Sequence, residues 1–218
     1  MTFSQIIEKP SIAAVLAAIA ALPAGSYVAS DADNTLWAGD VGDEVVRVAG
    51  STDCAPWKSN SVDFARYNAQ MEENYFEGCC FSAKILLDVD PIAAAESVRR
   101  TIAHHVRARS WLTQALEAAR LRGVNVWIVS ASPRLAVEIG AALFGVSAWP
   151  IIAVDCLNAD KPTYIEPIPI GDGKVAAWQK LGLPPPDLAL GDSQWDMPLL
   201  RFARLGFLLE RADREMAQ

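Results

Sequence analysis

The chain is poor in the residues that metal-binding and redox modules are made from. Among 218 residues there are two histidines, the neighbours His104 and His105, and four cysteines, Cys54, Cys79, Cys80 and Cys156. No C-x-x-C occurs, so the spacing of a zinc site or a dithiol centre is missing. Thiols so irregularly spaced in a chain of this length do not make a disulfide framework; they are expected reduced and mostly buried, as in a cytoplasmic protein. Runs of lysine or arginine are also absent. Lys and Arg number 19 against 26 Asp and Glu, a formal charge of −7, which lacks the electrostatic footprint of a nucleic-acid partner. Nor is there a span for a membrane. The apolar run from Ile12 to Leu22 is shorter than the ~20 residues a crossing helix needs, and Glu8 offsets Lys9 where a signal peptide would be basic. Ile12, Val15, Leu16, Ile19 and Leu22 instead follow helical spacing and predict a packed amphipathic helix.

What is present is core material. Hydrophobic residues make up 52% and charged residues 21%, which excludes disorder, collagen-like repeats and coiled coil for the chain as a whole. Three segments follow. Residues up to about 40 predict a helix, a Pro23-Ala24-Gly25 break, and a short strand over Ser26 to Ser30. Residues 41–120 have helical spacing and no convincing strand; Pro91 to Arg109 and Trp111 to Leu121 are helices, with Arg99, Arg100, Arg107 and Arg109 on solvated faces. From Gly123 onward strand and helix alternate. Strands are expected over Val124 to Val129, Ile151 to Val154, Leu188 to Leu190 and Leu205 to Leu209. Helices are expected over Arg134 to Leu143, Lys174 to Leu181 and Met197 to Ala203. This alternation implies right-handed crossovers and an α/β fold, a Rossmann-like, doubly wound, mostly parallel sheet. A helical cap, residues 41–120, interrupts a discontinuous core of 1–40 and 121–218.

In such sheets the ligand crevice lies beyond the carboxyl ends of the strands. There the sequence has Asp31-Ala32-Asp33-Asn34-Thr35, Ser130-Ala131-Ser132, Gly171-Asp172-Gly173-Lys174 and Gly191-Asp192-Ser193-Gln194-Trp195-Asp196. Carboxylates, a hydroxyl and a lysine recur in these loops, which suits phosphoryl transfer through a covalent intermediate. Asp31 can attack phosphorus. Asp33 can protonate the leaving oxygen and later activate water. Asp31 and Asp192 are hard oxygen ligands of the kind Mg²⁺ takes, and Lys174 and Ser130 supply positive charge and a donor. Blander roles exist for single residues. Asp31 and Asp33 could form turns, Ser130 or Ser132 could cap a helix, and Asp172 suits a first helical turn. Lys161 is a rival to Lys174, but Gly171-x-Gly173 opening a helix favours Lys174.

Together the four segments resemble the four motifs of the haloacid dehalogenase superfamily: D-x-D-x-T, a hydrophobic strand ending in Ser, a Lys, and G-D-S-x-x-D. The resemblance implies a Mg²⁺-dependent phosphomonoesterase with Asp31 as nucleophile and Asp33 as acid/base, offering its backbone carbonyl to the metal. It further implies that Ser130 and the Ala131 amide bind phosphate, that Lys174 steadies nucleophile and phosphate, and that Asp192 is a metal ligand. Asp196 and Thr35 stand behind these. Asn34 replaces a common Gly or Ser, and Trp195 a common polar residue.

The helical stretch after the first motif is similar to the small cap of the phosphoserine-phosphatase-like branch. That branch has an acidic residue nine positions past the nucleophile, which holds the substrate ammonium. Asp40 stands there. With Trp37, expected at the mouth of the crevice, it suggests a small ester bearing an amine or quaternary ammonium, such as phosphoserine, phosphoethanolamine or phosphocholine. Trp57, Tyr67, Tyr75 and Phe76 are candidates for either the same pocket or the core, and Arg66 is placed to meet a substrate carboxylate. His104 and His105 have no partner acid that would mark them as catalytic. A phosphotransferase using the same intermediate and a catalytically silent binding or regulatory protein are the alternatives. The intact motif residues argue against the second, and the presence of Asp33 argues against dehalogenation, where no leaving alcohol needs a proton.

Overall fold

The computed structural model describes residues 5–51, 64–87, 89–157 and 163–215, except for the side chains of residues 66 and 215. A strand, β1 (Gln5–Glu8), precedes the helix α1 (Ile12–Ala21), whose start is capped by Ser11 accepting the Ala14 amide. β2 (Tyr27–Ser30) and the two-residue β3 (Trp37–Ala38) lead to α2 (Val41–Ala49). Next come α3 (Phe64–Glu73), α4 (Tyr75–Lys84), α5 (Pro91–His105), β4 (Arg107–Ala108) and α6 (Ser110–Leu121). Then β5 (Asn125–Pro133), α7 (Arg134–Leu143) and β6 (Ile151–Val154) precede a hairpin of β7 (Cys156–Leu157) and β8 (Thr163–Tyr164). The chain finishes with α8 (Asp172–Lys180), β9 (Leu188–Gly191), α9 (Met197–Phe202), β10 (Leu205–Leu208) and α10 (Ala212–Glu215).

Six strands form one sheet in the order β1-β10-β9-β2-β5-β6, every neighbouring pair parallel. Period-2 alternation divides its side chains between two faces. Val28, Ile128, Leu188 and Leu190 join one apolar core with α1, α2, α5, α6 and α7; Ala29, Val129 and Ala189 join another with Trp178 of α8 and Leu199 and Leu200 of α9. This is the doubly wound arrangement the alternating pattern predicts. Because β2 lies between β5 and β9, with Ser30 level with both Ile128 and Leu190, the loops after these three strands leave the sheet side by side.

The predicted elements need several corrections. β1 is unforeseen: four residues carry too little periodicity, and only pairing with β10 makes them a strand. In α1, Val15 and Ile19 are buried while Ile12 and Leu16 are exposed, because the helix meets α6 along a narrower strip than the predicted stripe. The 41–120 segment contains a strand after all, β4, paired antiparallel with β3, which lies just ahead of the segment.

Packing within that segment is divided. Leu112 and Leu116 of α6 and Val98 and Ile102 of α5 belong to the main core beside Val28, whereas α3 and α4 share a cavity with the strand-end loops. Arg109, expected on a solvated face, is 1% exposed: its guanidinium donates to the Thr35 carbonyl at 3.0 Å and to the Glu210 carbonyl. Cys79 and Cys80 are buried and, with Cys156, free; Cys54 lies outside the described residues. Among the described residues no helix is long and apolar enough to cross a membrane.

Candidate active site

The loop after β2 turns sharply on one acceptor, the Ala32 carbonyl, which takes the amides of Thr35 and Leu36 at 3.2 and 2.8 Å. Asn34 has a φ of +58°, a conformation that Asn reaches more readily than most side chains, and its Oδ1 accepts the Gly39 amide at 3.2 Å. That turn aims Asp31 and Asp33 in different directions. Asp31 accepts from Lys174 Nζ at 2.6 Å. Lys174, in the first turn of α8 and 1% exposed, donates equally closely to Asp196 Oδ1. Two glycines allow this. A Cβ at Gly173 would lie 1.8 Å from the Ile168 carbonyl oxygen, and one at Gly191 would lie 2.3 Å from Asp196 Cβ. The other Asp196 oxygen, Oδ2, accepts the amides of Asp192 and Ser193 at 3.1 and 3.0 Å and the Ser193 hydroxyl at 2.9 Å.

Asp33 sits among donors instead of cations. Its Oδ1 accepts Trp37 Nε1 and the Val41 amide, both at 2.8 Å, and its Oδ2 accepts the Ser132 hydroxyl at 2.7 Å. Here the expectation for Trp37 fails. Its ring is fully buried, tilted against Phe144 at 5.5 Å, and is absent from the cavity wall. The apolar ring packs in the core while its one polar atom reaches Asp33. Ser130 is likewise fully buried; its hydroxyl accepts the Ser132 amide at 3.0 Å, and it is Ala131 and Ser132 that face the cavity. Ser132 does not cap α7, whose N-cap is Pro133 without a side-chain bond. Asp40 caps α2, accepting the Gly42 and Asp43 amides at 2.8 and 3.0 Å, and also lines the cavity. Thr35 donates to Asp192 Oδ1 at 3.2 Å.

Burial dominates the electrostatics. It pushes Asp31, Asp33 and Asp40 up to about 7 and Asp192 to about 8, with Asp196 next against Asp31, Asp40 against Asp33, Asp43 against Asp40, and Asp31 against Asp192. Burial also works against the Lys174 ammonium, but Asp196 and Asp31 outweigh it and hold that pKa above the ordinary lysine value. One lysine does not balance so many carboxylates.

The donor set accordingly suits a hard divalent cation. Carboxylate oxygens of Asp31, Asp192 and Asp196 lie within 4.8 Å of one another. Since Asp196 already spends one oxygen on Lys174 and the other on three donors, Asp31 and Asp192 are the better ligands. The Asp33 carboxylate is outside that cluster.

These groups line a cavity of about 380 Å³, walled on the other elements by Tyr67, Asn68, Met71, Glu72, Tyr75, Cys79 and Ser82 of α3 and α4. Tyr67 Oη donates to Asp43 at 3.2 Å, and Tyr75 stacks on Trp195 with ring centroids 4.6 Å apart. Asp43, Glu72, Trp195 and Arg211 were not singled out for this cavity by sequence. Asp43 looks like an ordinary first-turn helix acid, and Arg211 follows the last motif. Phe76 is 45% exposed and absent from the wall. His105 Nδ1 lies 2.7 Å from Glu44, and neither residue lines the cavity. Trp57, Lys161 and the Arg66 side chain lie outside the described residues.

The sequence matches the family model of haloacid dehalogenase-like hydrolases over residues 28–201. A search of the curated proteins finds no match. Among solved structures, the phospho-aspartyl intermediate analogue of phosphoserine phosphatase is similar at 17% identity and TM-score 0.59, covering 88% of this chain and 90% of that one. A protein of unknown function from Bordetella pertussis Tohama I is similar at 20% identity and TM-score 0.67, covering 88% and 94%. A HAD family hydrolase from Salmonella enterica serovar Typhi shares 18% identity at TM-score 0.60, covering 90% of this chain and 67% of that one.

Proposed function

From the premise that this chain belongs to the haloacid dehalogenase-like hydrolases, we propose that it is a Mg²⁺-dependent phosphomonoesterase working through an aspartyl-phosphate on Asp31. The observation that carries the proposal is the contrast between two carboxylates two residues apart. Asp31 is paired with a lysine at 2.6 Å, whereas Asp33 meets hydrogen-bond donors and no cation. Environments that differ in this way divide nucleophile from acid. Asp31, oriented by Lys174, attacks phosphorus in its ionised form as the ester bond to the leaving oxygen breaks. Asp33 gives that oxygen its proton. Oδ1 accepts two N–H groups that cannot reverse, whereas the hydroxyls that meet Oδ2, Ser132 at 2.7 Å and Ser130 at 3.4 Å, can turn to accept, so the proton belongs on Oδ2. In the second half Asp33 takes a proton from water as the water oxygen attacks phosphorus, and Asp31 is released. Bound Mg²⁺ would supply charge neutralisation to the phosphoryl oxygens, held by Asp31 and Asp192 with the Asp33 carbonyl.

The remaining residues position these. Asp196 fixes Lys174 and the loop after β9, Thr35 fixes Asp192, and Ser130 orders the turn whose Ala131 and Ser132 face the phosphate. Trp37 orients Asp33 and does not bind substrate. At the leaving-group end, Asp40, Asp43 and Glu72 face the same cavity as Tyr67 and Tyr75. Acidic and aromatic groups together favour a cation, so a small metabolite of the phosphoserine, phosphoethanolamine or phosphocholine type is the preferred substrate class. Within the 41–120 segment, α3 and α4 do the work of a cap: they exclude water and select that group.

Hydrolysis of a chromogenic aryl phosphate, with and without Mg²⁺, tests the reaction, and a panel of phosphorylated metabolites tests the substrate. Asp31→Asn should abolish turnover, and Asp40→Ala should erase the preference for cationic esters. Metal-independent hydrolysis, or full activity in Asp31→Asn, overturns the mechanism; an unchanged preference in Asp40→Ala overturns the substrate class. Release of product only when a second alcohol is supplied would make the chain a phosphotransferase instead.

A further inference from the structure

A phosphate dianion must enter a cavity whose lining carries seven carboxylates against two cationic side chains. Lys174 is buried and already bound at 2.6 Å to two of them, so it answers little of the incoming charge. Among the described residues lining the cavity, the other side chain with a fixed positive charge is Arg211. Its position is built by backbone and side-chain bonds. Leu209 N donates to the Gly191 carbonyl at 2.7 Å and Ala212 N to the Asn34 carbonyl at 2.8 Å. Buried Arg109 bridges the carbonyls of Glu210 and Thr35. The stretch after β10 is thus strapped to both loops that carry the proposed metal ligands.

The guanidinium itself is aimed. Asp213 accepts from Nε at 3.2 Å and from Nη2 at 3.1 Å. On the cavity side Nη1 lies 3.9 Å from Asp192 Oδ2, beyond hydrogen-bond reach, and the side chain is 40% exposed. A planar fork held along one edge presents its remaining N–H groups in a fixed direction, a geometry that matches phosphate oxygens. A surface ion pair that served only to hold Asp213 would not need a strap tied to the catalytic loops.

We infer that Arg211 is a substrate-binding residue that takes the phosphoryl oxygens as they enter the acidic cavity, an inference that rests on the phosphomonoesterase reading above. The test compares the full chain with Arg211→Ala and Arg211→Lys at saturating Mg²⁺. In Arg211→Ala, KM for an aryl phosphate and the inhibition constant for inorganic phosphate should rise together, about tenfold, the range of one charge-assisted contact near solvent. The lysine variant should recover part of the loss. Mg²⁺ binding, measured by calorimetry without substrate, should be unchanged or tighter, because the lost cation stood beside Asp192.

A raised KM with unchanged phosphate inhibition would move Arg211 to the leaving group and overturn the inference. So would Mg²⁺ binding that weakens in step with KM, the mark of a strap that is only structural, or no change in any of these constants. If the unmodified protein hydrolyses no phosphate ester, the phosphatase reading fails by itself. Calorimetric titration of inorganic phosphate in Mg²⁺ then still reads Arg211 directly, expecting weaker binding in Arg211→Ala and rejecting the inference if binding is equal.

Discussion

Replacing Lys174 by methionine keeps the length of a buried side chain and removes its charge, leaving Asp31 and Asp196 without the ammonium that each binds at 2.6 Å. Breaking a buried pair from one side costs about 3–5 kcal/mol, because the orphaned charge stays desolvated. Here two carboxylates are orphaned, with oxygens within 4.8 Å of each other. In a chain of 218 residues, each 1 kcal/mol moves Tm by about 2–4 °C. At pH 8 without metal, Lys174→Met should therefore melt roughly 6–20 °C below the parent.

The loss should depend on pH, with a definite sign. Asp31 already stands at about 7 beside Lys174, pushed there by burial first and by Asp196 next; without the lysine it rises further. The folded variant then binds more protons than the unfolded chain above the ordinary carboxylate range, so its stability falls as pH rises. Lys174 itself stays charged in the parent across this window, because its pKa is raised. At pH 5.5 protons replace the missing cation and most of the deficit should vanish. Thermal melts followed by circular dichroism at pH 5.5 and 8 measure both halves. An equal deficit at the two pH values, or none at pH 8, would refute the view that Lys174 neutralises a buried carboxylate pair.

Two further outcomes follow from the same site. Burial and mutual repulsion raise Asp31 to about 7 and Asp192 to about 8, so protons and Mg²⁺ compete; differential scanning fluorimetry should show a larger Mg²⁺-induced rise in Tm at pH 8 than at pH 6, and an equal rise would sink that competition. Trp37→Phe removes one donor from Asp33 Oδ1 while leaving the ring in the core. Because that bond lowers the Asp33 pKa, the alkaline limb of the kcat profile should move to higher pH with KM nearly constant. A change confined to KM would mean that Trp37 touches substrate after all.

Much of this protein was legible as pattern. Strands alternating with helices after Gly123 place the motif residues at strand ends, and the parallel register of β5, β2 and β9 then brings three of those ends together. The failures have a common physical source. β1 and the β3–β4 pair are strands only through long-range pairing, which leaves no periodicity in two to four residues. Arg109 and Trp37 look like surface and pocket residues by type. The first is buried because its guanidinium finds two carbonyls, and the second because its ring finds the core and its N–H finds Asp33.

The sequence by itself determined the absences and the family: an acidic chain without basic runs, with Asp31, Asp33, Ser130, Lys174 and Asp192 standing in four motifs in order. Local chemistry is enough for that, since residue type and spacing are written along the chain. Tertiary structure decided which oxygen each group uses. It made Ser132, not Ser130, the hydroxyl facing the cavity, gave both oxygens of Asp196 to Lys174 and its own loop, and turned Arg211 toward Asp192 from beyond the last motif. Such choices depend on side chains distant in sequence sharing one desolvated volume, where a displacement of an ångström decides whether a charge is paired or stranded.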